Sequence, residues 1–91
     1  MAKISDIAVF IRRVAESLTE KNETRTFAEL TKTINSANFK NSQGKQYSEG
    51  KRGIPYILTL VYHYLQDKGD QEGADMVENS FTNKYGKKHF E

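Results

Sequence analysis

The stretch that decides the fold is "GIPYILTLVYHYL", Gly53 to Leu65, the most apolar run in the chain. Ile54, Ile57, Leu58, Val61 and Leu65 recur at helical spacing and form one continuous apolar face. Leu60 and Tyr64 broaden that face, which predicts a central helix with neighbours on more than one side. Pro55 suits the first turn, where its missing amide costs nothing, and Gly69 supplies the stop.

Around this helix the spacing predicts three more. The first is expected to start at Ser5 as N-cap, with Asp6 in its first turn and Ile4 stapled onto Val9. Ile7, Ile11, Val14 and Leu18 share one face, widened by Phe10 and Ala15, while Arg12, Arg13 and Glu16 read as a solvated surface. "TFAE", Thr26 to Glu29, is a capping box that opens the second helix. Phe27, Leu30, Ile34 and Ala37 are its expected buried face, and Asn38 its left-handed stop. Asp70 caps the fourth helix, with Ala74, Val77 and Phe81 inward, Asp75 and Glu78 outward, and an end at Gly86.

Between the second and third helices lies "NSANFKNSQGKQYSEGKRG", residues 35 to 53. Phe39 and Tyr47 flank "KNSQGKQ", where Gln43-Gly44 can supply the positive φ of a hairpin loop. The expectation is an all-α, compact four-helix domain spanning 1–91, with a short β-hairpin wing between helices 2 and 3, arranged like a helix-turn-helix.

Totals bound the function. With 91 residues, 36% hydrophobic and 29% charged, the chain can build one small core. Cysteine is absent, which removes disulfides, Cys-ligated zinc and thiol nucleophiles. The apolar run near the N-terminus is interrupted by Asp6, Arg12 and Arg13, so a cytoplasmic protein without a membrane segment is expected. The net charge of +2 is unevenly spread: residues 39 to 53 hold four Lys/Arg against one Asp/Glu, and residues 54 to 91 hold four against six.

Catalytic and metal chemistry find little to work with. The two histidines, His63 and His89, have neither each other nor cysteine at ligand spacing, and Gly44, Gly50 and Gly53 do not form a phosphate-binding loop. No catalytic residue, metal site or cofactor is expected, and the chain reads as a non-enzyme.

Residues 26 to 48, "TFAELTKTINSANFKNSQGKQYS", resemble the DNA-binding segment in the recombinase domain of large serine recombinases. That segment reads as a capped helix ending in Leu-Asn-x-x-Gly, a turn with Thr-x-x-Gly-Lys, then Trp-Ser. Here Ile34-Asn35 stand at the Leu-Asn positions, Asn38 at the helix-ending Gly, Gly44-Lys45 at Gly-Lys, and Tyr47-Ser48 at Trp-Ser. The resemblance implies a helix-turn-helix variant whose wing and third-helix start touch DNA. Lys40, Lys45, Lys51 and Arg52 would then neutralise phosphates, while Asn41, Ser42 and Gln43 reach backbone or base edges. The expected role is that of a small accessory or regulatory protein, of the sort carried by phages and mobile elements. The alternative is an adaptor or inhibitor that meets a host or mobile-element protein through Tyr62 on the third helix and Asp75 and Glu78 on the fourth.

Overall fold

A computed structural model describes residues 3–41, 43–50, 53–83 and 85. Those residues form four helices, α1 (Ile4–Lys21), α2 (Phe27–Ser36), α3 (Ile54–Asp67) and α4 (Gln71–Ser80), and two short strands, β1 (Arg25–Thr26) and β2 (Phe81–Thr82). Helices α1, α3 and α4 pack against one another, and α2 lies against α3 and both strands. Ile7, Ile11, Leu30, Ile34, Ile54, Leu58, Val61, Val77 and Phe81 are essentially solvent-free at the centre. A side chain of this kind contributes about 1.5–3 kcal/mol when buried.

Helix α3 forms as its periodicity requires. Ile54, Pro55, Leu58, Val61 and Leu65 are buried, with Pro55 in the first turn. Gly53, the N-cap, has little freedom, because a Cβ there would fall onto the Ser48 carbonyl. At the other end Gly69 turns left-handed at φ 80°, and the Asp70 amide donates back to the Leu65 carbonyl at 2.8 Å. The chain is thereby delivered into α4, where the Asp70 side chain accepts from the Gly73 amide at 3.0 Å.

The Thr26 capping box is formed in both directions, with Glu29 N donating to Thr26 Oγ1 at 3.2 Å and Thr26 N to Glu29 Oε1 at 3.0 Å. The Thr26 amide first, and the Thr26 hydroxyl donating to Glu29 Oε1 at 3.1 Å second, hold the Glu29 carboxyl below its ordinary pKa. Asn38 takes the left-handed conformation at φ 69°, as Asn22 does at 56° after α1. Both are helix stops that an Asn side chain tolerates.

Several expectations are corrected. Helix α1 begins one residue before Ser5: Lys3 is its N-cap and Ile4 packs on the core from inside the first turn. Val9 is 51% exposed, so the Ile4–Val9 staple does not form. Ala37 is exposed and Thr31 takes its place on the buried face of α2, its hydroxyl donating to the Phe27 carbonyl at 2.7 Å. Helix α4 stops at Ser80 rather than Gly86, which lies outside the described residues. Phe81 is buried, as expected, but from a strand: β2 pairs in parallel with β1, Arg25 opposite Phe81 and Thr26 opposite Thr82. The Ser80 hydroxyl, donating to the Ala15 carbonyl at 3.3 Å, fixes the point of departure from the helix.

Residues 39–41 and 43–50 contain no strand, in contrast to the two hairpin strands expected there. Gly44 does adopt the positive φ, 75°, that a tight loop needs. A backbone bond from Asn41 N to Lys45 O at 2.8 Å spans the tight turn, and among the described residues no strand ladder extends it.

Candidate functional site

The loop between α2 and α3 is built by two asparagines. Asn41 directs its Oδ1 into the loop, accepting from the Gln43 amide at 2.8 Å and the Lys45 amide at 3.0 Å. This is a side-chain turn of the kind that short polar residues nucleate. The Gly44 amide donates to the Asn41 carbonyl at 3.0 Å and completes it.

Asn35, at the end of α2, fastens the returning segment. Its Nδ2 donates to the Tyr47 carbonyl at 3.0 Å, and its Oδ1 accepts from the Tyr47 amide at 2.9 Å. A side-chain amide offers the same donor and acceptor pair as a peptide group, so it replaces the neighbouring strand that the loop lacks. Tyr47 is 9% exposed and its hydroxyl donates to the Lys40 carbonyl at 3.2 Å. Burial pushes its phenol above the ordinary tyrosine pKa. The other end of the loop is held by Phe39, whose ring lies 5.2 Å from that of Phe10 on α1.

This scaffold leaves Gln43 and Lys45 exposed at the tip and Lys40 and Asn41 partly buried at the base. Asn41 therefore has its carbonyl oxygen engaged by loop amides. Ser42, Lys51 and Arg52, the other residues assigned to a nucleic-acid contact, lie outside the described residues. Glu49 lines a shallow depression with Thr26, Phe27, Ala28 and Asn83 beside the start of α2.

A second surface runs across α3 and α4. The Tyr62 hydroxyl accepts from Gln66 Nε2 at 3.2 Å, which also lies 3.2 Å from Gln71 Oε1; Gln71 Nε2 in turn donates to Asp75 Oδ1 at 2.8 Å. Two of the three residues assigned to a protein partner are thus brought together through two glutamines. Glu78 is partly buried one turn beyond Asp75 on the same helix. His63 is exposed, its ring 5.6 Å from that of Tyr62 in a T-shaped arrangement.

Comparison with protein-family models, curated proteins and solved structures finds no match to this chain. The reading of the site therefore rests on its own residues.

Two features were missed from the residues alone. Arg12, assigned to a solvated face, donates from Nε to Asp70 Oδ2 at 2.6 Å and from Nη1 to Glu16 Oε2 at 3.0 Å. The Arg12 bond first, and the Gly73 amide second, hold the Asp70 carboxyl below the usual carboxylate range. The second is Asn35, whose only sequence signal was its place in the Leu-Asn pair of the recombinase likeness. Among the described residues no group of His, Asp and Glu side chains could hold a metal ion, and no helix is long and apolar enough to cross a membrane. No buried side-chain nitrogen or oxygen there lacks a hydrogen-bond partner, so the interior offers no orphaned polar group for a ligand.

Proposed function

We propose that this chain is a small non-enzymatic nucleic-acid-binding protein, an accessory or regulatory factor of the phage and mobile-element type, that contacts DNA through the loop between α2 and α3. The observation that carries the reading is the pair of hydrogen bonds between the Asn35 side-chain amide and the Tyr47 backbone, which holds a basic loop at a defined position on the helix before it. A positioned loop loses less entropy on binding than a free one, and that is what a contact surface requires. In this reading Lys40 and Lys45, with Lys51 and Arg52 from the same segment, neutralise phosphates. Gln43, with Ser42, reaches the backbone or a base edge, and Asn41 acts mainly by holding the tip in shape. The recombinase likeness supports the same assignment, since Asn35, Gly44, Lys45, Tyr47 and Ser48 all fall within it.

The test is a salt titration of binding to duplex and single-stranded DNA. Affinity falls steeply with salt, and Lys40→Ala or Lys45→Ala each removes about one unit of the log-log slope. Absence of binding to either form at low salt refutes the reading.

A protein-partner reading is favoured by one specific observation, the hydrogen-bonded chain Tyr62–Gln66–Gln71–Asp75 that fixes a polar face across two helices. With Glu78 beside it, that face suits a basic partner. Capture of a host protein that is lost on Asp75→Lys plus Glu78→Lys supports it, and unchanged capture excludes that face.

A further inference from the structure

Helix α3 begins where the loop ends, since the Ile54 amide donates to the Ser48 carbonyl at 2.8 Å. Two residues later Tyr56 is 54% exposed, a large aromatic side chain standing in solvent within the first turn. Leu60 and Tyr64 follow at steps of four; both are partly buried, Tyr64 packing against the core on one side and keeping its remaining surface in solvent. Residues four apart lie over one another on a helix, so Tyr56, Leu60 and Tyr64 form a row leading away from the loop. At its far end Lys68 Nζ sits over the Tyr64 ring, 5.6 Å from the centroid. The row thus starts where the chain leaves the basic loop and ends at a cation.

We infer that this row is a stacking platform and that the ligand of the loop is single-stranded rather than duplex nucleic acid, an inference that rests on the loop reading above. Steps of four residues advance roughly 6 Å along a helix axis, against about 3.4 Å between stacked bases of a B-form strand. A duplex keeps its base faces covered, whereas a single strand presents them to aromatic side chains while its phosphates follow cationic ones. Tyr56 stacks on a base next to the loop, Leu60 covers the edge of that base and the next, and the Tyr64–Lys68 pair meets the following nucleotide.

The experiment is fluorescence anisotropy of a labelled oligothymidylate, and of a labelled duplex of equal length, with wild type, Tyr56→Ala, Tyr56→Phe and Lys45→Ala. Circular dichroism establishes that each variant is folded. The single strand binds at least about tenfold more tightly than the duplex, and Tyr56→Ala weakens it by about tenfold with an unchanged salt slope. Tyr56→Phe, which keeps the ring, binds like wild type. Because the chain has five tyrosines and no tryptophan, oligothymidylate also quenches the intrinsic tyrosine emission of the wild type. If duplex binds as well as single strand, or Tyr56→Ala binds as tightly as wild type, the platform is refuted, and the loop reading survives if Lys45→Ala still lowers the slope. If neither nucleic acid binds at low salt, both fall together.

Discussion

Replacing Asn35 by alanine tests whether a side-chain amide holds the loop in the way the geometry implies. The substitution removes a donor at 3.0 Å and an acceptor at 2.9 Å from a single residue, Tyr47. Each such bond contributes about 1 kcal/mol net, and leaving a part-buried amide and carbonyl unpaired raises the cost toward its upper range. The combined loss is about 2 kcal/mol, with helix propensity returning a few tenths because alanine suits the last turn of α2 better than asparagine. For a domain of this size that corresponds to a fall in Tm of roughly 10 °C. The fall has a ceiling: once the loop detaches, further weakening of the clamp costs the rest of the fold nothing. The assay is therefore twofold, with thermal unfolding by circular dichroism and amide hydrogen exchange at Gly44, Lys45 and Tyr47. Exchange at these three positions should rise by more than at Leu58 or Val61, which lie in the buried face of α3. A fall in Tm below about 2 °C with protected Gly44 and Lys45 amides would refute the clamp.

Two further perturbations address the join between α1 and α4. Asp70→Asn keeps a competent cap for the Gly73 amide but removes the charge facing Arg12. Since the folded-state pKa of Asp70 is lowered, the pair's stabilisation is present above the ordinary carboxylate value of about 3.9 and is lost as pH falls through the lowered one. Both side chains are 30% exposed, so the contribution is about 0.5–1 kcal/mol at low salt. The difference in urea midpoint between wild type and Asp70→Asn should be present at neutral pH and vanish in strong acid; a pH-independent difference contradicts the assignment. Gly73→Ala reverses the usual helix rule, under which alanine gains about 1 kcal/mol over glycine. A Cβ at Gly73 would strike the Asp70 carboxylate and Arg12 Nε, so the variant is expected to lose about 1 kcal/mol, and the same Gly73→Ala change to be no longer destabilising in the Asp70→Ala, Arg12→Ala background, where both obstructing side chains are truncated. Stabilisation by Gly73→Ala in the wild-type background would show that the pair yields freely.

What could be read from the residues was what local chemistry decides. The α3 stripe, the Thr26–Glu29 box, the Asn38 stop and the Gly69–Asp70 junction all express a period or a cap within a few neighbours, and all are present. The end of α4 depends instead on Arg25 and Thr26, far away in the chain, whose pairing with Phe81 and Thr82 turns a helical continuation into a strand. Arg12 has the same difficulty, because its partner Asp70 reads locally as a cap and nothing more.

The loop falls between these cases. Gln43-Gly44 correctly signals a turn, yet a turn signal does not say what the flanking residues bond to. A hairpin satisfies its backbone by pairing one arm with the other; here that pairing stops at Asn41 and Lys45, and the Tyr47 backbone bonds to a side chain on α2, so the returning arm is registered against a helix beyond the turn. That difference has a functional consequence. A two-stranded wing of this length flexes about its base, whereas a loop fastened at Asn35 and Phe39 moves with α2 and α1. It also gives physical meaning to adjacent Ile34 and Asn35. Helical rotation directs the first into the core, where it is fully buried, and the second toward the loop, so one dipeptide couples packing of the domain to presentation of its basic surface.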